Sequence, residues 1–88
     1  MVNKKLKNGD IGHLSDLSQG QVAKVLGLHN SNQSIKRRLL DMGITTGVKI
    51  TIKHIAPLGD PISISLRGYE LCLRKNDMAE IDIEVIKS

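Results

Sequence analysis

The imidazole and thiol side chains, those best suited to transition-metal ligation or nucleophilic chemistry, are four in this sequence: His13, His29, His54 and Cys72. The histidines stand 16 and 25 residues apart. None has the i, i+4 or short-loop spacing by which one local element presents two ligands to one metal. His54 falls at the end of an alternating run, and Asp60 lies in the turn that follows. These two, with Cys72, are the candidates for a surface metal site; ordinary solvated side chains are the alternative. Cys72 has no histidine at a spacing that marks a base. Arg74, two residues on, would favour its thiolate, although a small side chain on a strand accounts for it equally well. There is no Gly-x-Ser-x-Gly turn and no glycine-rich phosphate loop. Asp82 and Glu84 share one face, which is the ordinary polar side of a strand. The residues point away from an enzyme.

Charge offers a second kind of chemistry. The net charge is +4. Between residues 34 and 75 eight basic side chains face three acidic ones. Such a stretch suits an acidic protein surface, a membrane headgroup or a nucleic acid, or serves only as a solvated face. Single-stranded nucleic acid requires aromatic platforms for stacking, and Tyr69 is the one aromatic residue. No pair of helices is arranged to enter a duplex groove. Nucleic acid is therefore not the expected partner.

The elements that must position these residues follow from hydrophobic period and turn chemistry. Leu, Ile and Val supply 27 of the 88 residues, enough for one small aliphatic core in a single domain. A core this small leaves no room for a deep substrate cavity, so function belongs on a surface, a loop or a partner interface. Residues 1–10 read as a loose polar arm and 11–88 as the domain. Gln21 to Leu28 is an irregular first strand with a bend at Gly27. A helix from about Asn32 to Met42 puts Ile35, Leu39 and Met42 on one face, widened by Leu40. Ser31 or Ser34 is its N-cap. Arg37 or Arg38, one turn back, would offset Asp41 near its C-terminus.

Gly43 stops this helix and Ile44 folds back on it. Strict alternation then marks strands around Val48–Lys53, Ile62–Arg67, Tyr69–Arg74 and Ile81–Val85. Arg67-Gly68 is a two-residue hairpin link, and Asn76–Ala79 a single helical turn. Five antiparallel strands with one short inserted α-helix predict a mainly β fold, a small barrel that removes its own edges. The helix position favours the SH3-like barrel over the oligonucleotide/oligosaccharide-binding type. One cysteine fits a reducing compartment. Neither a membrane-length apolar run nor a secretory h-region is present, so a cytoplasmic protein is expected.

Three stretches carry a resemblance: Arg38-Leu39-Leu40-Asp41-Met42-Gly43-Ile44-Thr45-Thr46-Gly47, Ala56-Pro57-Leu58-Gly59-Asp60-Pro61 and Arg67-Gly68-Tyr69-Glu70-Leu71-Cys72-Leu73-Arg74. In order and spacing, with Leu14-Ser15-Asp16-Leu17 ahead of them, they resemble the FeoA family over about residues 13–86. The resemblance implies an SH3-like barrel and a cytoplasmic accessory of bacterial ferrous-iron uptake. It implies FeoB, a permease with a cytosolic G-protein domain, as partner. The same domain ends iron-dependent repressors of the DtxR type, so a transition-metal-responsive binding module is the alternative. Fe(II) or another divalent transition metal would then fall on His54 and Asp60. Most of the shared residues are architectural. The exposed remainder is Pro57, Leu58, Gly59 and Asp60 on a stiff turn, with Arg67 and Arg74 on the outward faces of neighbouring strands, a candidate partner-binding set. A monomer or weak homo-oligomer is expected.

Overall fold

In the computed structural model, residues 6–29 and 33–87 are described. Six strands form one antiparallel sheet: β1 (Ile11–His13), β2 (Val22–Leu28), β3 (Lys49–Ile55), β4 (Ile62–Leu66), β5 (Tyr69–Leu73) and β6 (Ile81–Lys87). Helix α1 (Gln33–Asp41) joins β2 to β3, and the single turn α2 (Lys75–Met78) joins β5 to β6. The order across the sheet is β1-β6-β2-β3-β4-β5. The last strand in sequence is thus interior, paired with β1 on one side and β2 on the other.

The period-two runs do what alternation requires. Ile81, Ile83 and Val85 are buried while Asp82 and Glu84 are not, and Ile62, Ile64 and Leu66 line the same core. Register shifts in β2 against β6 and in β3 against β4 bend the strands around that core. The count is six strands rather than five. β1 is three residues long with glycine at its centre, too short to show alternation, and it exists as a partner for β6. Nor does the sheet remove both its edges: β1 and β5 are its two end strands and share no ladder.

Helix α1 ends as its sequence dictates. The Ile44 amide donates to the Leu39 carbonyl and the Gly43 amide to the Leu40 carbonyl, the paired bonds of a Schellman stop. Gly43 takes φ +94° there, and Ile44 is buried. Leu40 departs from expectation: at 42 % exposure it faces out, and Leu39 alone of the helix is fully buried. Arg38 also pairs differently, with Asp77 of α2 at 2.9 Å rather than with Asp41. The candidate cap Ser31 lies outside the described residues.

Residues 6–10, assigned to the loose arm, carry specific bonds. Gly9 donates to the Val85 carbonyl and Val85 to the Asp10 carbonyl, and Leu6 packs on the core. Buried Gln21 holds this segment. Its Nε2 donates to the Leu6 carbonyl at 2.8 Å, and its Oε1 accepts from the Ser18 amide at 2.6 Å. Gln21→Ala is expected to cost about 1–2 kcal/mol by stranding both groups. Faster amide exchange at Ser18 and Gly9, with the β3–β4 ladder unchanged, is the observation that checks it.

Candidate partner-binding surface

The β3–β4 connection is built by local chemistry. Pro57 presets the turn, the Gly59 amide donates to the Ala56 carbonyl at 2.7 Å, and the Ala56 amide donates to the Pro61 carbonyl at 3.2 Å. These bonds fix a short loop with Leu58 at its tip, 96 % exposed. The following Asp60 turns back to the body, where Oδ1 accepts the Lys75 amide at the start of α2 at 2.9 Å. Asp60, Pro61 and Arg74 then line a shallow pocket of about 210 Å³.

The expected set divides in two. Ile62 pairs with Leu73 and Leu66 with Tyr69, so the Leu58 loop and Arg74 share one end of the hairpin. Arg67 lies at the other end, beyond a ladder roughly 14 Å long by strand rise. It is a turn residue at φ +50°, not part of a strand, and donates to Thr45 Oγ1 at 3.0 Å. The physical reason is the tight turn: Arg67 and Gly68 (φ +84°) are its two central residues, both with positive φ. Arg67 therefore does not join Arg74, and the gathered set is Pro57, Leu58, Gly59, Asp60 and Arg74.

No hydrogen bond or ion pair joins His54 to Asp60 among the described residues, and Cys72 lies against Ser63, its Sγ 3.4 Å from Oγ. No group of three or more His, Cys, Asp or Glu side chains is placed to hold a metal ion among the described residues. Folding does bring the two distant histidines together. The rings of His13 and His29 are 6.3 Å apart, and His13 faces Asp16 and Asp82 at 3.6 and 3.5 Å. Sequence spacing carried no sign of this, because the β1–β6 ladder brings His13 opposite Asp82.

A second feature went unseen in the sequence. Beside the pocket, α1 and the outer edge of β5 enclose a groove of about 530 Å³, lined in part by Ile35, Met42, Leu73, Cys72 and Arg74. Tyr69 ties the helix to the start of β5. It lies on the core side of the alternation but at its rim, 43 % exposed, and its hydroxyl donates to the Met42 carbonyl. Half-buried Ile35 and Met42 pack against the core with one side and form the groove's apolar wall with the other. No helix among the described residues is long and apolar enough to cross a membrane.

The FeoA domain family matches residues 12–85. A fusion protein of Porphyromonas gingivalis, Fe(2+) transport protein A joined to the Fe(2+) transporter FeoB, is 35 % identical over 75 residues. That match covers 85 % of this chain and 9 % of the fusion protein. The NMR structure of an FeoA-like protein from Clostridium acetobutylicum shares 36 % identity at a TM-score of 0.82, covering 94 % of this chain and 93 % of that one. The zinc-complexed FeoA of Stenotrophomonas maltophilia, described as a prokaryotic SH3 domain protein, superposes at a TM-score of 0.72 and 23 % identity, over 82 % of this chain and 88 % of that one. The last likeness gives the fold, an SH3-like domain. With a domain match from residue 12 to residue 85 and a relative that agrees along nearly its whole length, this chain belongs to the FeoA family.

Proposed function

We propose that the protein is a non-catalytic accessory of ferrous-iron uptake that docks on the cytosolic part of FeoB, the transporter to which its Porphyromonas relative is fused. The observation that carries this reading is Leu58, an almost fully exposed leucine on a hydrogen-bonded turn. An apolar side chain held in this way binds without first having to be ordered. Arg74 at the same end supplies charge that orients an acidic partner.

Burying a leucine is worth about 1.5–3 kcal/mol, so Leu58→Asp is expected to weaken binding to full-length FeoB by about tenfold or more. The fold is unaffected, because Leu58 touches no core. The measurement is affinity for full-length FeoB and for its isolated G-protein domain, with and without GTP. Nucleotide-dependent binding assigns a regulator of the switch, whereas binding only to the full-length transporter places the contact elsewhere on it. Wild-type protein that binds neither overturns the docking reading. Saturable Fe(II) binding in an anaerobic titration, lost in His54→Ala, would replace it with the metal-responsive one.

A further inference from the structure

The groove between α1 and β5 has a feature that an apolar hollow alone does not: one wall is the outer edge of an end strand. The two-residue turn makes Leu66↔Tyr69 the first hydrogen-bonded pair of the β4–β5 ladder, so Ile64↔Leu71 and Ile62↔Leu73 are bonded as well. Ser65↔Glu70 and Ser63↔Cys72 are then the non-bonded pairs, in which side chains approach more closely. The 3.4 Å approach of Ser63 Oγ to Cys72 Sγ agrees with this. The N–H and C=O groups of Glu70 and Cys72 therefore point away from β4. β5 is the last strand of the sheet, so no further strand among the described residues receives them.

Native proteins rarely leave such an edge beside an apolar hollow, because it is a template for another strand. Here α1 stands off from the edge and leaves the groove, with Ile35, Met42 and Leu73 as its apolar lining. The rim is cationic. Arg38 is paired with Asp77, but Arg74 meets no carboxylate among the described residues. No aromatic side chain lines the groove, so it is not built for proline-rich helices, which dock in aromatic-lined grooves.

From these observations we infer that the groove takes a short extended segment of a partner protein, added as a strand to β5. One apolar side chain of the segment enters between Ile35, Met42 and Leu73, and a carboxylate pairs with Arg74. Main-chain bonds to Glu70 and Cys72 supply affinity, and the apolar pocket and the arginine supply selectivity. This rests on the docking reading and specifies it: the segment belongs to FeoB. It also gives Leu58 and Arg74 complementary parts, since the loop tip and the groove mouth lie at the same end of the hairpin.

The experiment is residue-resolved amide exchange of the ¹⁵N-labelled protein, alone and with full-length FeoB in nanodiscs. Strand addition protects the Glu70 and Cys72 amides and leaves Tyr69, Leu71 and Leu73, already bonded to β4, unchanged. Arg74→Glu, at an exposed side chain, is expected to weaken binding by about tenfold or more. Cys72→Pro removes one free-edge donor at a position where an edge strand tolerates proline, and is expected to do the same. If FeoB binds but Glu70 and Cys72 stay unprotected and Arg74→Glu binds like the wild type, strand addition is wrong and docking stands. If wild-type protein does not bind FeoB, both fall. Should Cys72→Pro not fold, the exchange pattern of the wild type and the Arg74→Glu affinity still decide.

Discussion

Truncating Ile83 to alanine is expected to remove about 3–4 kcal/mol of stability. Ile83 is fully buried on β6, where it opposes Gly12 of β1 and Val25 of β2. The loss combines the transfer free energy of the missing carbons with the cavity they leave, and paired strands on both sides restrict collapse around it. A domain of this length holds on the order of 5–10 kcal/mol in total, so the loss is a third or more of it. In urea, with a slope near 1 kcal/mol per molar, the midpoint should fall by about 3 M. Ile86→Ala is the internal comparison, because that side chain, on the same strand, is 37 % exposed. If the two variants shift the midpoint equally, the assignment of the β6 core face is wrong.

Gly43→Ala is the second large effect, and it arises from two costs at one place. At φ +94° an alanine meets the penalty of left-handed backbone, about 1–2 kcal/mol. Its Cβ also falls on the Tyr69 hydroxyl, which must move and abandon the Met42 carbonyl, a further ~1 kcal/mol. Together about 2–3 kcal/mol lowers the melting temperature by roughly 10–20 °C in a domain of this size. The two costs separate in a double-mutant cycle. Tyr69→Phe removes the obstructing oxygen, so Gly43→Ala adds less in the Tyr69→Phe background than in the wild type. Strict additivity would mean that Tyr69 does not occupy the space above Gly43.

What could be read without coordinates was whatever is written in short-range pattern. The alternations in β3, β4, β5 and β6 set the strands and their inward faces, and Leu39 to Ile44 set the helix stop, because each depends on neighbours within one turn or one pleat. What escaped depends on partners distant in sequence. β1 is extended only because β6 is beside it. Arg38 has an acidic neighbour, Asp41, at helical spacing, yet its carboxylate is 39 residues away on α2. Arg67 appeared to continue a strand, but turn geometry assigned it to the opposite end of the hairpin from Arg74. Ile35 and Met42 matched the helical period of a core-facing side and do pack on the core, but period alone does not show that they also wall a groove. The exposed turn at Leu58 was visible because Pro57, Gly59 and Pro61 punctuate it. The free edge of β5 was not, since whether a strand has a neighbour is a property of topology.

The interior position of β6 bears on how the chain is made as well as on how it is held. A protein is synthesised from its N-terminus, and local hairpins such as β3–β4–β5 can close as soon as they emerge from the ribosome. β1 has no such option, and β2 has only its short ladder to β3, because the strand that belongs between them comes last. Its ladders join residues about 70 positions apart in the β1–β6 pair, the kind of contact that slows folding. Until residues 81–87 emerge, the apolar sides of β2 and the hairpin lack the buried Ile81, Ile83 and Val85 that complete the core, and such exposed apolar surface makes an incomplete chain prone to aggregate. Ribosome-stalled chains that stop short of Ile81 should therefore be cut readily by protease, and chains that include Lys87 beyond the exit tunnel should resist, with a sharp transition between them.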